Sequence, residues 1–126
     1  MEAIVSVPLP QNPYEVQIVP GGLANLGDRL QVIGSGDRPG KPLGQKILLV
    51  SNPEIYGHYG ERAIASLQGA GFNVGYHEIP AGEPHKTLQS IEKVYDTCLS
   101  LRLERSSTLV ALGGGVIGDM TGFAAA

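Results

Sequence analysis

The sequence has little of what marks secreted, membrane or nucleic-acid-binding proteins. A single cysteine, Cys98, excludes a disulfide within the chain and suits a reducing compartment. No apolar run approaches the roughly 20 residues that cross a bilayer, and the N-terminus lacks the basic and apolar regions of a signal peptide. Lys and Arg are scattered and the net charge is −3. We therefore expect a cytoplasmic protein with neither a nucleic-acid nor a membrane partner.

Apolar residues and glycine are the abundant classes. Of the 126 residues, 42% are apolar, which is enough to form the core of one ordinary domain. The 18 glycines are dispersed and without a period. Many tight connections between short elements are typical of such a composition, and a fibrous repeat is not indicated.

The hydrophobic pattern alternates between strand and helix periods along the chain. Strand patterns occur at residues 14–19, 46–50, 72–79 and 107–112. Apolar residues at helical spacing follow them at residues 23–33, 53–69, 88–101 and after the glycines that begin at Gly113. This order predicts an α/β domain with a mostly parallel sheet flanked by helices.

Polar loops connect these elements. Residues 34–45 are rich in Gly and Pro, which predicts a mobile surface loop. Ser51 or Asn52, followed by Pro53, is suited to begin a helix, as is Thr87. Loops 80–86 and 113–119 both follow strands, and ligands of parallel sheets lie at the carboxyl ends of strands, so we expect these loops to form two walls of one site.

The glycine run at residues 113–118 fits the pattern G-x-G-x-x-G between a strand and a helix. Glycine N–H groups at a helix start can hold a phosphate. The run follows the last predicted strand, whereas the usual dinucleotide fingerprint follows the first, so a tight turn without a ligand is an open alternative. Asp119 could cap the helix or accept a hydrogen bond from a substrate hydroxyl.

The loop 82–87 has a carboxylate, Glu83, and an ammonium, Lys86, three residues apart. Together they could grip a diol, or they could form an ordinary surface ion pair. The three histidines do not have the spacing of metal ligands, so we expect no metal site in this chain.

These motifs together resemble 3-dehydroquinate synthase. Residues 113–126, GGGVIGDMTGFAAA, are similar to that family's G-G-G-V-x-G-D-x-x-G-F-x-A motif, and residues 82–88, GEPHKTL, are similar to its G-E-x-x-K-[ST]-L segment. Residues 14–30 resemble its first strand and helix. The resemblance covers almost the whole chain apart from residues 34–45.

The resemblance implies a Rossmann-like domain that binds NAD. It assigns Glu83 and Lys86 to the adenosine ribose, and it assigns Asp119 to the nicotinamide end. It also places Asn52 near the adenosine. The pyrophosphate loop corresponds to Gly114, Gly115 and Val116.

For the whole protein, the resemblance implies a carbon–oxygen lyase of the shikimate pathway to aromatic amino acids. The family converts the seven-carbon sugar acid phosphate DAHP into 3-dehydroquinate and phosphate, using transiently reduced NAD and a divalent metal, zinc or cobalt. Members are commonly homodimers. The metal and most substrate ligands lie in a second, helical domain.

We therefore expect residues 1–126 to be a truncated N-terminal NAD-binding domain that lacks the second domain, carries no catalytic residue and is inactive alone. Met120 and Phe123 of its last helix are expected to be exposed. A sister sugar-phosphate cyclase or a glycerol- or iron-type dehydrogenase is the alternative enzyme. A stand-alone nucleotide-binding module is the alternative of another class.

Overall fold

The computed structural model of the chain describes residues 2–36 and 44–126. Five strands occur in this part: β1 (Ala3–Val7), β2 (Tyr14–Ile18), β3 (Lys46–Ser51), β4 (Asn73–Glu78) and β5 (Thr108–Ala111). The helices are α1 (Leu26–Gly36), α2 (Pro53–Ile55), α3 (Glu61–Gly69), α4 (Leu88–Ser100) and α5 (Gly115–Ala125). Short 3-10 turns cover Gly22–Asn25 and Glu83–His85, and a π-helical turn, Tyr56–Gly60, joins α2 to α3.

Three strands form a parallel sheet in the order β4-β3-β5. The central strand β3 pairs along its length with β4, from Lys46↔Asn73 to Ser51↔Glu78. It also pairs with β5 through residues 47–50. Every residue of β3 after Lys46 is buried, which explains why this segment is a continuous apolar run. The predicted α/β class with a parallel sheet is confirmed.

Helices cover both faces of this sheet. The side chains of β3 alternate between the two faces and contribute to an apolar cluster on each. On one face Leu48 and Val50 pack with Ile91 and Val94 of α4 and with Ile117 of α5. The opposite cluster is built on Ile47, Leu67 and Phe72, with Leu26 and Leu30 of α1 against it. The core therefore has two layers, one on each face of the sheet.

The start of the chain departs from the predicted order. Residues 14–18 form a strand as predicted, but it pairs antiparallel with β1 in a separate two-stranded ribbon and does not join the parallel sheet. The strand β1 was not predicted. Its sequence AIVSV is short, and its pairing partner lies only a hairpin away. The local pattern identifies a strand but cannot specify which sheet it enters.

Two predicted helices also differ in detail. Helix α1 continues to Gly36, so the predicted loop 34–45 begins later than expected, and residues 37–43 lie outside the described residues. Leu88, the first apolar residue of the predicted helix 88–101, is 69% exposed. It is the first residue of α4, and the buried residues of this helix, Ile91 and Val94, begin three residues later.

The exposure predicted for the last helix is half correct. Phe123 is 57% exposed, but Met120 is only 3% exposed because it packs in the cluster of Leu48 and Val50. The one-turn spacing from Ile117 to Met120 and Thr121 puts these residues on the face that meets the sheet.

Candidate functional site

The candidate residues gather where the three parallel strands end. Strand β3 leads into Asn52, β4 leads into the loop around Glu83 and Lys86, and β5 leads into the glycines before α5. Because the strands are parallel, these three connections lie at one edge of the sheet. The predicted placement of loops 80–86 and 113–119 as neighbours agrees with this topology.

Asn52 begins the helix after β3. Its Oδ1 accepts a hydrogen bond from the backbone N–H of Ile55 at 2.9 Å, and Pro53 occupies the first helical position. Asn52, and not Ser51, is therefore the N-cap. The bond uses the amide oxygen and leaves the amide nitrogen on the side chain as a donor.

The loop after β4 is compact and exposed. Gly82 adopts φ 106°, a left-handed conformation that favours glycine, and the 3-10 turn of Glu83–His85 follows it. Thr87 ends the loop as the N-cap of α4, accepting from Ser90 N–H at 3.2 Å. The N-cap predicted for Thr87 is confirmed. These contacts hold Glu83 and Lys86 on a short, defined turn.

The glycine loop after β5 is anchored at its base. Leu112 N–H donates to the Val50 carbonyl at 2.9 Å, and the Ser51 hydroxyl donates to the Leu112 carbonyl at 2.6 Å. Ser51 is fully buried. Its role was missed, although a hydroxyl at the end of an apolar strand is the signal that could have revealed it.

Helix α5 begins without a side-chain cap. Gly114 is the N-cap residue, and no side chain accepts from the first N–H groups of the helix. A methyl group on Gly114 or Gly115 would meet no other atom within 4 Å outside the local backbone. The loop thus presents open space above unsatisfied backbone donors at the positive end of a helix dipole, which suits an anionic group.

Val116 and Asp119 both lie within α5. Val116 is partly buried and packs its side chain against the apolar cluster of the sheet. Asp119 is the fifth residue of the helix and lies beyond its first turn. The alternative that Asp119 caps the helix is therefore wrong, because the N-cap residue is Gly114, five residues before Asp119.

Asp119 instead reaches the neighbouring loop. Its Oδ2 lies 2.8 Å from Lys86 Nζ in a salt bridge, and both side chains are exposed, at 66% and 39%. The hydrogen bond and charge of Asp119, with a smaller contribution from Glu83, raise the pKa of Lys86 above its usual 10.5. The surface ion pair considered for Glu83 and Lys86 thus forms with Asp119, in the part of the chain that the structure describes.

The assembled site has a defined chemical character. An ammonium and two carboxylates border a loop of open backbone N–H groups, so hydroxyl groups and phosphate oxygens both find partners. Among residues 2–36 and 44–126, no group of three or more His, Cys, Asp or Glu is placed to hold a metal ion. In the same ranges, no helix combines the length and apolar character needed to cross a bilayer.

One further polar group near the glycine loop has no partner among the described residues. The Thr121 hydroxyl of α5 is buried and makes no hydrogen bond, and the residue is 4% exposed. Thr121 belongs to the terminal motif but was assigned no role from the sequence. Threonine is common on helices, and nothing in its local pattern distinguishes an unsatisfied hydroxyl.

Comparison with solved structures supports the fold. A crystal structure of 2-deoxy-scyllo-inosose synthase covers 97% of this chain and 32% of its own length, with TM-score 0.76 and 18% identity. A second one, complexed with carbaglucose-6-phosphate, NAD+ and Co2+, covers 75% of this chain and 26% of its own, with TM-score 0.62 and 22% identity. At these identities the likeness establishes a shared, Rossmann-like fold.

Sequence comparison identifies the relatives. Residues 76–126 match the family model described as 3-dehydroquinate synthase N-terminal. Over 126 residues the chain is 59% identical to the 3-dehydroquinate synthase of Synechocystis sp. and 60% identical to that of Picosynechococcus sp.. These alignments cover 100% of this chain and 33% and 32% of the relatives, so it spans about a third of their length. The chain is thus related over its whole length to the 3-dehydroquinate synthases, and the family predicted from its motifs is confirmed.

Proposed function

We propose that the chain is the nucleotide-binding part of a 3-dehydroquinate synthase and that the loops at the carboxyl edge of its sheet hold NAD. The uncapped start of α5 at Gly114 and Gly115 carries this proposal. The helices after β3 and β4 are capped by their own Asn52 and Thr87, so α5 differs from both. A bound pyrophosphate would supply the acceptors that α5 lacks.

The residues of the glycine loop fit the pyrophosphate by their backbone. The N–H groups of Gly114, Gly115 and Val116 would donate to its oxygens, and the absence of side chains at the two glycines leaves room for close approach. Val116 keeps its side chain in the core, which fixes the direction of its N–H.

The side chains around this loop fit the two nucleoside ends of NAD. Glu83 and Lys86 would bind the hydroxyls of the adenosine ribose, and Asn52 would donate its amide nitrogen near the adenosine. Asp119 would accept a hydrogen bond near the nicotinamide end. In this arrangement the salt bridge between Lys86 and Asp119 holds the ammonium between the two loops before the nucleotide arrives.

The whole protein would convert DAHP into 3-dehydroquinate and phosphate, as a carbon–oxygen lyase of the shikimate pathway, in the cytoplasm and as a homodimer. Bound NAD would supply reversible hydride transfer, and a divalent metal, zinc or cobalt, would polarise the substrate hydroxyls. The relatives are about three times as long as this chain, and we propose that the metal and substrate ligands belong to that additional length. Residues 1–126 alone are then inactive, and turnover of DAHP by them would contradict this assignment.

A sister sugar-phosphate cyclase is the second candidate, because the two solved structures compared above are of such an enzyme. The sequence identity of 59% to a 3-dehydroquinate synthase, against 18% and 22% to the cyclase, favours the synthase. A stand-alone nucleotide-binding module would differ from both enzymes in its affinity for NAD. It would bind NAD tightly without a second domain, whereas half of a cleft would bind it weakly.

The test is an NMR titration of the chain with NAD, since chemical shifts report weak binding residue by residue. We expect shifts confined to the glycine loop and to the turn with Glu83 and Lys86. Replacing Gly114 or Gly115 by Ala should weaken the binding of NAD about tenfold or more, because the methyl group fills the space above the loop. Thermal stability should be kept or raised, since Ala favours a helix start over Gly.

The matched control is Gly69→Ala at the end of α3, where an added methyl group also meets no atom within 4 Å. It should leave NAD binding unchanged. Shifts spread away from the glycine loop, or equal NAD binding by the Gly114→Ala variant and the parent chain, would contradict the proposed site.

A further inference from the structure

Ser51 is the last residue of the central strand β3, and it is hydrogen-bonded to the chain that follows each neighbouring strand. Its hydroxyl donates to the Leu112 carbonyl at 2.6 Å, at the base of the glycine loop. Its backbone carbonyl accepts from the Ile79 N–H at 2.9 Å, just before loop 80–86. The chain itself continues into Asn52. One residue is thus connected to all three parts of the candidate site.

The hydroxyl of Ser51 takes the place of a backbone donor. The ladder between β3 and β5 ends at the pair Val50↔Ala111, and the Leu112 N–H then donates to the Val50 carbonyl at 2.9 Å. One more step of a parallel ladder would need the N–H of the residue after Ser51. At that point the chain leaves the sheet, because α2 begins. The Ser51 side chain supplies the donor that the backbone of β3 no longer provides.

The bond from Ser51 to Leu112 is well protected. Ser51 is fully buried, so water does not compete for its hydroxyl. A buried hydroxyl needs a hydrogen-bond partner, and the Leu112 carbonyl is the acceptor that it has. Removal of the hydroxyl leaves this carbonyl without its donor from β3, so the base of the glycine loop is free to move.

The glycine loop is short, and its direction follows from its base. Gly113 alone lies between Leu112 and Gly114, the N-cap residue of α5, which has no side-chain cap. A Cβ on Gly113 would lie 3.0 Å from the Ile117 side chain, so the backbone here already lies close to α5. The position of the Leu112 carbonyl therefore sets the direction of the N–H groups at Gly114 and Gly115.

We propose that Ser51 is a positioning residue for the cofactor. Its hydroxyl aims the backbone N–H groups of the glycine loop at the pyrophosphate, and Ser51 itself, being fully buried, does not contact the nucleotide. This inference rests on the NAD site proposed above. Donors that are already oriented bind an anion more tightly than mobile ones, because they need no further ordering on binding.

NMR titrations of the chain with NAD and with inorganic pyrophosphate test the positioning role. Ser51→Ala removes the hydroxyl, and we expect the Kd of both ligands to rise by similar factors of about tenfold, because both use the same N–H groups. Ser51→Thr keeps the hydroxyl and suits a strand, so it should bind both ligands as the parent chain does.

The matched control is Ser66→Ala on α3. The Ser66 hydroxyl also joins two elements, since it accepts from the Gly27 N–H at 3.0 Å and donates to the Ala24 carbonyl at 2.9 Å. Its loss should lower thermal stability, as the loss of the Ser51 hydroxyl does, but should leave both Kd values unchanged. Circular dichroism melting identifies a temperature at which every variant is folded, and the titrations are made there.

The outcomes separate the positioning role from the proposed cofactor. If Ser51→Ala and the parent chain bind both ligands equally well at the glycine loop, the positioning role is wrong and the NAD site stands. Equal weakening by Ser51→Thr or by Ser66→Ala would assign the loss to packing or to general destabilisation, and would overturn the role as well. If the parent chain binds pyrophosphate but not NAD, the cofactor assignment fails and pyrophosphate alone decides on Ser51. If neither ligand shifts the glycine loop of the parent chain, both proposals fail.

Discussion

Lys86 and Asp119 show how single side chains acquire a role from the fold. They are far apart in sequence, and each was considered as part of a local feature, an ion pair with Glu83 for one and a helix cap for the other. The parallel sheet brings their two loops together, and the 2.8 Å salt bridge between them follows. Both are exposed, so the bridge orients the groups and adds little to stability.

His77 gives a prediction at the same scale. Its Nδ1 forms a hydrogen bond of 2.7 Å with Thr97 Oγ1, and the Thr97 hydroxyl also lies 3.2 Å from the Lys93 carbonyl. Burial, and to a smaller extent the charge of Lys93, lower the pKa of His77 below its usual 6.5. Protonation of His77 is therefore less favourable in the folded state than in the unfolded state.

Stability should therefore be complete above the unfolded-state pKa of 6.5 and should fall as the pH drops from there through the lower folded-state pKa. Urea unfolding at about pH 8 and about pH 5 measures this loss. His77→Asn, which keeps a hydrogen-bonding group near the position of Nδ1 but does not titrate, should lose less stability between the two pH values. An equal loss in the variant and the parent would show that other groups are responsible.

At the scale of elements, three helices start at the same edge of the sheet, and they differ in whether a side chain caps their first backbone N–H groups. Asn52 and Thr87 satisfy the first N–H groups of their helices, whereas the helix that starts at Gly115 has no such cap. Capping residues are recognisable in sequence: Thr87 was predicted, and Asn52 was one of two candidates with Ser51. A glycine run is recognisable too, but whether its donors stay open depends on what packs over them, which the sequence does not reveal.

Replacement of Thr87 by Ala tests the capping role. We expect a loss of about 1 kcal/mol in the free energy of unfolding, because the Ser90 N–H loses its acceptor at the start of α4. Thr87→Ser keeps the hydroxyl and should restore most of the stability. Urea unfolding measures both variants, and an equal loss in the Ser variant would assign the effect to the lost methyl group.

The helix that follows β3 shows a local feature that only packing explains. A π-helical turn at Tyr56–Gly60 interrupts it, and the ring of Tyr56 lies 4.2 Å from that of Tyr76 on β4. A side chain on Gly60 would collide with the Tyr56 ring. The helical periodicity of residues 53–69 predicted one helix, since the pattern contains no signal for one extra residue in a turn.

At the scale of the whole molecule, stability depends on the two apolar clusters that enclose the sheet, and the ribbon lies outside them. Leu67 is fully buried against Ile47 and Phe72. Leu67→Ala should therefore lower the free energy of unfolding by about 2–5 kcal/mol. Leu99→Ala, at a residue that is 77% exposed, is the control and should change it by less than about 0.5 kcal/mol.

Tyrosine fluorescence and circular dichroism during urea unfolding measure both changes. Because the clusters share the central strand β3, the two signals should coincide in one transition. A small effect of Leu67→Ala would mean that the cluster of Ile47, Leu67 and Phe72 is not part of the cooperative core.

The sequence by itself determined the α/β class, the positions of the main helices and parallel strands, the cap at Thr87, and the family, because periodicity, capping residues and motifs are local. Tertiary structure alone decided that β2 pairs with β1 outside the main sheet, that Met120 is buried, and that Lys86 meets Asp119. The burial of Met120 and the bridge from Lys86 to Asp119 depend on contacts between distant segments, and local propensity carries no information about which segments meet. The pairing of β2 with β1 is local, but the strand pattern does not specify which sheet a strand enters.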